Sequence, residues 1–386
     1  MRSKLSNRCF RNATSFLCAT ICTLSNAELV IGRTGSLKSP ISSPLTISVG
    51  TGFDTYIKKI NQSGGVNGQT IRVVFRDDEF KPDLTLAAAK SLIEQDNVLA
   101  LVSPQGTPGS LAIAKDGVLK RNNVAVVGPF TGAPSVLFAD NFFPTRASYD
   151  DEVRALLRQM KRLAQGSVAY MYYNTGIGPA YVPVITKLTK EEGLPLAASV
   201  GYDIIADDPA KQTVAIQEAV KKVFAAKPAA VFLIAVGPTV PAVMTELYKQ
   251  GGAGFPRYTF SINDWQSLIK NAGLDAAKGV VISQASPYPY VASRKIASDY
   301  LKDLKKYSPD ATPSFAGIEG YVTARILVEA LRRAGPRPTS AKVLRALENF
   351  GKYDLGDFVV EYSGSTKRVD FVLDLTIINN QGKLVR

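Results

Sequence analysis

Short apolar runs alternate with amphipathic helical patterns from the first predicted strand onwards. A β-strand is predicted at Glu28–Thr34, and the helix that follows carries apolar residues along one face, at Ile47, Phe53, Ile57 and Ile60. A second strand is predicted at Ile71–Phe75, where β-branched and aromatic residues concentrate. This order of strand, helix and strand predicts a right-handed βαβ unit with a parallel sheet.

The alternation continues through two successive series of strands and helices. The first series includes strands at Val98–Val102 and Val124–Val127. The second series has strands at Ser167–Tyr173, Leu196–Gly201, Ala229–Ala235 and Tyr258–Ile262. Their nearly continuous apolar composition is typical of parallel strands that helices cover on both faces. We therefore predict an α/β protein with two doubly wound parallel-sheet lobes.

Three extended segments are predicted to connect the lobes, at Asn141–Ser148, Gln284–Tyr290 and Gly351–Val360. They divide the chain into a first lobe of residues 28–145 with 286–354 and a second lobe of residues 146–285 with 355–386. A hinge of three strands permits the lobes to close around a ligand without deforming either core.

The stretch Lys58–Asp83 ends one helix, turns, forms a strand and begins another helix. Its glycines suit the left-handed conformation that closes a helix, and its proline suits the first turn of the next. Its two adjacent aspartates are predicted to cap the turn and the following helix. The residues that define the pattern are Ile60, Asn61, Gly64, Gly65, Val66, Asn67, Gly68, Asp77, Asp78 and Pro82.

This pattern, together with the order of elements from Glu28 onwards, resembles type I periplasmic solute-binding proteins. Within them it is most similar to the leucine/isoleucine/valine-binding class that serves ABC transporters. The resemblance implies the type I periplasmic-binding-protein fold and a binding function.

Residues 1–27 have the features of a secretory signal peptide. A basic segment without acids precedes the apolar stretch Ala13–Leu24, and Ser25-Asn26-Ala27 places small residues at the cleavage site. We expect cleavage before Glu28 and a periplasmic location. An uncleaved membrane anchor is the alternative, although the apolar stretch is short for a membrane span.

The amino-acid composition excludes several classes of catalytic and metal-binding chemistry. The sequence contains no histidine, and its three cysteines, Cys9, Cys18 and Cys22, lie within the predicted signal peptide. Ser-His, Cys-His and histidine-based zinc sites are therefore excluded for the mature chain. No phosphate-binding loop or nucleophile elbow occurs, so we expect no cofactor and no enzymatic activity. A hydrolase that uses serine and lysine is the alternative from another functional class.

The chain is basic, with a formal net charge of +13. Its cations spread over amphipathic helices such as Lys211–Lys222, which we interpret as solvated helix faces. Weak selection for anionic solutes is the alternative interpretation, and no nucleic-acid partner is expected. No later apolar run reaches transmembrane length, so the mature protein is expected to be soluble.

Two loops with hydroxyl side chains, Ser103–Ser110 and Gly128–Gly132, follow two successive predicted strands. Open α/β proteins bind ligands at the carboxyl ends of parallel strands. Backbone amides and hydroxyls there can hold a carboxylate without a full counter-charge. Thr107 and Thr131 are therefore predicted to hold the acidic group of a ligand, with ordinary turn chemistry as the alternative.

The resemblance implies further ligand-binding positions. In the first lobe, the loops after the first, third and fourth strands supply Ser36, Gly106, Thr107, Phe130, Thr131 and Gly132. In the second lobe it implies Ile177, where the family often has tyrosine, and Asp264 as the acid that meets a ligand ammonium group. Aromatic residues near strand ends and crossings are candidates for apolar walls, with core or hinge packing as the alternative: Tyr172, Tyr173, Trp265, Tyr288, Tyr290 and Phe315.

The resulting hypothesis is a monomeric periplasmic receptor that delivers a small carboxylate-bearing solute to the membrane-embedded permease of an ABC transporter. An amino acid with a branched-chain or other apolar side chain is the first candidate ligand, and an aromatic or other organic acid is the alternative. A periplasmic ligand sensor is the alternative binding function.

Overall fold

The computed structural model describes residues 28–39, 43–164, 166–174, 177–205, 207–237, 239–370 and 373–386. The predicted signal peptide, residues 1–27, lies outside the described residues.

The first lobe is built on a five-stranded parallel sheet with the strand order β2-β1-β3-β4-β5. Its strands are β1 (Leu29–Gly35), β2 (Ile71–Asp77), β3 (Ala100–Val102), β4 (Ala125–Val127) and β5 (Phe142–Phe143). Its first helices are α1 (Ser43–Gln62), α2 (Pro82–Glu94), α3 (Thr107–Asp116), α4 (Val118–Asn122) and α5 (Pro134–Leu137). β3 and β4 are buried at every position, as expected for strands covered on both faces.

The second lobe follows as a similar alternating series. Its elements are α6 (Tyr149–Ala164), β6 (Val168–Tyr173), α7 (Ile177–Glu191), β7 (Leu196–Tyr202), α8 (Pro209–Ala225), β8 (Ala230–Ile234), α9 (Thr239–Gly251), β9 (Arg257–Thr259), α10 (Trp265–Ala272), α11 (Leu274–Ala277) and β10 (Val280–Gln284). Strands β6 to β10 are parallel to one another.

The chain then returns to the first lobe and finally to the second. The returning elements are α12 (Lys295–Tyr307), α13 (Phe315–Arg333), α14 (Ser340–Glu348), β11 (Gly351–Asp354), β12 (Val359–Ser363) and β13 (Thr366–Asp370). The final strands, β14 (Asp374–Ile378) and β15 (Leu384–Val385), add antiparallel to the second sheet, which has the order β15-β14-β10-β9-β8-β6-β7. The predicted α/β fold with two parallel-sheet lobes is confirmed.

The third crossing lies later than the predicted Gly351–Val360. Strands β11, β12 and β13 form a separate antiparallel sheet, and Val360 and Tyr362 are buried in the same core as Leu29 of the first lobe. Residues 355–370 therefore pack with the first lobe, and the chain crosses between β13 and β14. The prediction failed there because the extended stretch forms antiparallel hairpins that pack on the first lobe rather than a connecting segment.

Two predicted boundaries also differ from the structure. Thr107 to Ser110, predicted as loop, form the first turn of α3, because Gly106 takes φ 77° and Pro108 suits a first helical turn. The sequence also predicts one helix from Leu111 to Lys120, but this stretch is interrupted at Gly117, which has φ 83°. Helix α10, after β9, was not predicted.

Asn61 connects the end of α1 to the edge strand β2 through hydrogen bonds of its side chain. Its Nδ2 donates to the carbonyl oxygen of Ile71 and its Oδ1 accepts from the amide of Ile71, both at 2.8 Å. The side chain thus acts as the missing strand partner of Ile71, whose side chain is buried. Because Asn61→Ala would leave both backbone groups without these partners, it is expected to lower the free energy of unfolding by about 1–3 kcal/mol. Urea denaturation measures this, and an unchanged midpoint would contradict it.

Glycines bring the backbones of α1 and α13 into contact. A Cβ atom on Gly52 would lie 1.7 Å from the carbonyl oxygen of Gly317, and one on Gly320 would lie 2.0 Å from that of Val49. Both helices begin beside the cleft between the lobes, so this contact fixes the relative position of their N-terminal turns.

Candidate functional site

The candidate site is a cavity of about 690 Å³ between the lobes. The first lobe contributes, among others, Pro44, Leu45, Ser48, Phe130, Phe315 and Ala316 to its lining. The second lobe contributes, among others, Val236, Pro241, Ser261, Asn263, Asp264 and Trp265. The volume lies within the range of ordinary small-molecule sites.

Four helices from both lobes begin at this cavity. Residues of the first turns of α1 and α13 line it from the first lobe, and those of α9 and α10 line it from the second. The N-terminal turn of a helix presents unpaired amide groups and a positive dipole end. The arrangement therefore favours a negatively charged or strongly polar ligand group in the cavity.

Charged side chains are nearly absent from the lining. Among the described lining residues, Asp264 is the single charged one. It is the N-cap of α10, and its Oδ2 accepts a 2.8 Å hydrogen bond from the amide of Ser267. A ligand carboxylate in this cavity would thus meet amides and hydroxyls rather than cations, and Asp264 is the one negative charge of the described lining.

An aromatic cluster forms part of the cavity wall and extends behind it. Trp265 lines the cavity and donates from Nε1 to the hydroxyl of Tyr290 at 2.9 Å. Phe315 lines the opposite lobe, and its ring centre lies 5.6 Å from that of Tyr290 and 5.8 Å from that of Tyr288. These residues, two of them on the second crossing, join apolar surface from both lobes. In contrast, Tyr173 packs in the core of the second lobe.

The loops after β3 and β4 lie side by side, as the sequence predicted. The amide of Phe130 donates to the carbonyl of Pro104 at 2.9 Å, and the amide of Gly106 donates to the carbonyl of Phe130 at 3.3 Å. The hydroxyls of Thr107 and Thr131 are 2.7 Å apart. The two threonines that were predicted to act together are thus in direct contact.

The hydroxyl of Thr131 is occupied by protein groups. Besides Thr107, it accepts from the amide of Ala133 at 3.2 Å and meets the hydroxyl of Tyr149. A hydroxyl has one donor and two acceptor positions, so these three contacts use its capacity. If Thr131 donates to Thr107, the proton of Thr107 stays available for a ligand.

Of the eight predicted site residues, Phe130 and Asp264 line the cavity. Ser36 is buried and accepts from the amides of Lys38 and Ser39, which stabilises its own turn. Gly132 lies under Tyr149, whose ring leaves only 2.4 Å to a Cβ atom built on this glycine. Ile177 begins α7, but its side chain lies outside the described part of the chain. A ligand role for the residues that do not line the cavity stays a prediction.

The paired aspartates of the sequence motif cap the turn, in agreement with their structural interpretation. Asp78 is buried, and its carboxylate accepts from the amide of Phe80 and the hydroxyl of Thr85. Asp77 accepts from the amide of Glu79. Burial raises the pKa of Asp78 against the opposing effect of these donors.

A buried ion network beneath the cavity was not predicted. Arg146, on the first crossing, donates to Glu152 at 3.3 Å and to the hydroxyl of Ser261 at 2.7 Å, both in the second lobe. It also lies 3.5 Å from the carboxylate of Glu319 on α13 of the first lobe. Its guanidinium carbon lies 5.4 Å from the ring centre of Phe130. The available signal was that Arg146 is the single charged residue of the predicted crossing Asn141–Ser148.

The two carboxylates of this network have different surroundings. Glu152 accepts from the amide and hydroxyl of Ser261, both at 3.0 Å, and from the hydroxyl of Ser283 at 2.5 Å. Glu319 has one oxygen, Oε1, without a hydrogen-bond partner among the described residues. Burial raises the pKa of Glu319 to about 7, although the charge of Arg146 opposes this shift.

Within the described residues, no group of histidine, cysteine, aspartate or glutamate side chains is arranged to hold a metal ion. Across the same part of the chain, no helix combines the length and apolarity needed to cross a membrane.

Comparisons with known proteins agree with this architecture. The family model for periplasmic binding proteins matches residues 28–383. A Leu/Ile/Val-binding protein homolog from Brucella melitensis is 28% identical over 171 residues, which are 42% of this chain and 45% of that protein. The match therefore spans less than half the length of this relative.

Solved structures match over nearly the whole chain. A substrate-binding periplasmic protein from Ralstonia solanacearum has a TM-score of 0.82 at 26% identity, covering 93% of this chain and 99% of that one. A solute-binding protein of an ABC transporter from R. palustris, solved in complex with 4-hydroxybenzoate, has a TM-score of 0.76 at 18% identity, covering 92% and 95%. The chain thus belongs to the periplasmic binding protein family, with the type I fold that its sequence resembled.

Proposed function

We propose that the protein is the substrate-binding component of an ABC uptake transporter. It binds a small carboxylate-bearing solute between its lobes, with a branched-chain or other apolar amino acid as the first candidate. It performs no chemistry on the solute and presents it to the permease, which distinguishes the closed from the open arrangement of the lobes.

The observation that carries this proposal is the combination of four helix N-termini with a lining that contains one carboxylate and no cation among the described residues. Amide groups at helix N-termini can hold a carboxylate without a cationic side chain. Asp264 supplies a counter-charge for an ammonium group. Apolar surface from Leu45, Phe130 and Trp265 suits an apolar side chain.

An aromatic carboxylic acid is the second candidate ligand. The ring cluster around Trp265 and Phe315 favours it, because aromatic rings pack well against one another in edge-to-face geometry. The structural relative from R. palustris was solved with such an acid, 4-hydroxybenzoate.

A thermal-shift screen with matched solutes tests the proposal. L-leucine, L-valine, L-phenylalanine and 4-hydroxybenzoate are compared with L-leucinamide, which lacks the carboxylate, and with 4-methylpentanoate, which lacks the ammonium group. A ligand that binds only the native state raises the melting temperature. We expect L-leucine or L-valine to stabilise the protein and L-leucinamide to have no effect. Stabilisation by 4-hydroxybenzoate alone would favour the second candidate, and no stabilisation by any carboxylate would contradict the proposal.

Thr107→Val is expected to weaken binding of the solute found in this screen by roughly tenfold to a hundredfold. A hydrogen bond to a charged group contributes about 1.5–3 kcal/mol, and about 1.4 kcal/mol corresponds to a factor of ten. Thr131→Val acts by removing the group that orients Thr107, and it is expected to lower fold stability as well, since Thr131 is buried. Calorimetric titration and thermal melts measure both effects. Unchanged affinity in both variants would place the carboxylate elsewhere.

A further inference from the structure

We propose that Arg146 is a positioning residue of the ligand cleft, and that the charge state of Glu319 sets how firmly it joins the two lobes. The inference rests on the proposed function in one respect, which is that the lobes move to admit a solute.

Arg146 contacts residues that line the cavity on both sides. Phe130 of the first lobe lies under its guanidinium, and Ser261 of the second lobe accepts its 2.7 Å hydrogen bond. The guanidinium also faces carboxylates from both lobes, Glu319 and Glu152. A change in the position of Arg146 would therefore move its contacts with both cavity walls, Phe130 in the first lobe and Ser261 in the second.

The network buries two carboxylates and one cation together. Arg146, Glu152 and Glu319 have side-chain exposures of 2%, 0% and 4%. Glu152 accepts hydrogen bonds from hydroxyl and amide donors in addition to Arg146. Among the described residues, Glu319 has only the guanidinium as a partner for its charge, and burial raises its pKa, so it is the carboxyl that takes up a proton.

Among the described residues, no further charged group faces Glu319. The charged groups that act on Glu319 are Arg146 and Glu152, and Tyr149 acts on Arg146. Helices α1 and α12, which pack against α13, hold charges in separate ion pairs: Arg33–Asp54, Lys59–Asp303, Lys295–Asp299 and Asp299–Arg325. The remaining charged residues of α1, α12 and α14 are exposed: Lys58, Lys302, Lys305, Lys306, Lys342, Arg345 and Glu348. Strand β4, also beside α13, carries no charge.

Protonation of Glu319 is linked to the arrangement of the lobes. Glu319 belongs to the first lobe, whereas Glu152 and Ser261 belong to the second, so separation of the lobes at this point admits water to Glu319. Hydration lowers the pKa of a buried carboxyl towards its ordinary value, so the separated arrangement favours the ionised form. A rise in pH through neutrality ionises Glu319, and the ionised form is favoured in the separated arrangement. The fraction of molecules with separated lobes therefore increases as the pH rises.

The test uses the ligand-free mature protein, and Trp265 provides the probe. It is the sole tryptophan of the chain, and it lines the cavity. Its fluorescence emission and the radius of gyration from small-angle X-ray scattering are recorded between about pH 5.5 and 8.5. The sequence has no histidine, the side chain that ordinarily titrates in this range. We expect both signals to change with a common midpoint, and the radius of gyration to increase with pH.

Glu319→Gln is expected to abolish this transition because the side chain keeps its shape and cannot ionise. Glu329→Gln is the matched control, since Glu329 lies on the same helix but forms ion pairs with Arg332 and Arg333 near the surface. The control is expected to retain the transition. The proposal would be overturned if the wild-type protein shows no pH transition, or if the transition persists in Glu319→Gln.

If Glu319→Gln does not fold, Glu319→Asp replaces it and is expected to move the midpoint, because the shorter side chain changes the distance to Arg146. An unmoved midpoint would then overturn the proposal. Titration with L-leucine is a separate arm. A pH transition without any solute binding would contradict the proposed transport function and leave the role of Glu319 supported.

Discussion

Gly52→Ala is expected to lower the free energy of unfolding by about 2 kcal/mol or more. Alanine is favoured over glycine within a helix by about 1 kcal/mol, which acts in the opposite direction. The added Cβ, however, would lie 1.7 Å from a backbone carbonyl oxygen of Gly317, which no side-chain rotation can relieve. The helices must move apart, and overpacking of this kind costs about 1–3 kcal/mol and at times more. Urea denaturation measures the difference.

Gly254→Ala is the matched control for this substitution. No atom lies within 4 Å of a Cβ built on Gly254, and its φ is not positive. We expect a change of less than about 0.5 kcal/mol, as for most surface substitutions. Equal stability of the Gly52 and Gly254 variants would show that the α1–α13 contact tolerates a methyl group.

Arg146→Met is expected to destabilise the protein by about 3–5 kcal/mol, because it leaves two buried carboxylates without a cation. The loss should grow as the pH rises. Burial already raises the pKa of Glu319 above its ordinary value, so its carboxyl favours the folded state at low pH and loses this contribution as pH rises through about 7. Without Arg146 the pKa of Glu319 rises further, so ionisation opposes folding still more strongly.

Two variants separate this effect from a general loss of packing. Arg154→Met removes an arginine of α6 whose side chain is 36% exposed and paired with Glu191, and it is expected to cost less than about 1 kcal/mol. The double variant Arg146→Met, Glu319→Gln is expected to recover part of the lost stability and to lose its pH dependence. Failure of Glu319→Gln to restore any stability would show that packing, not charge, accounts for the loss.

The regular part of the fold was predictable because it depends on local patterns. Continuous apolar runs such as Ala230–Ile234 are buried at every position, and the prediction of parallel strands followed from them. The hairpins of β11 to β13 were not predicted, because their alternating pattern does not reveal which lobe their apolar face covers. That choice depends on contacts such as those of Tyr362 with residues far away in the sequence.

The candidate site was predictable only where it lies next to a strand. The loops containing Thr107 and Thr131 follow apolar strands, so their proximity followed from the topology of a parallel sheet. The lining contributed by α1 was missed, and Phe315 was the one residue of α13 considered as part of a wall, because these helices are brought to the cavity by tertiary packing. The same is true of Glu319, whose position within α13 gives no sign of a charged partner.

The late position of the third crossing has a consequence for the order of folding. Residues as distant as Leu29 and Tyr362 share one hydrophobic core, so the first lobe cannot be completed until nearly the whole chain is available. The elements from α6 to β10, in contrast, are continuous in sequence and pair largely with one another. The N-terminal part of the chain is thus synthesised first, but its hydrophobic core is completed last. The high sequence separation of the contacts in this core favours slow folding. Such a chain stays unfolded for longer during its synthesis.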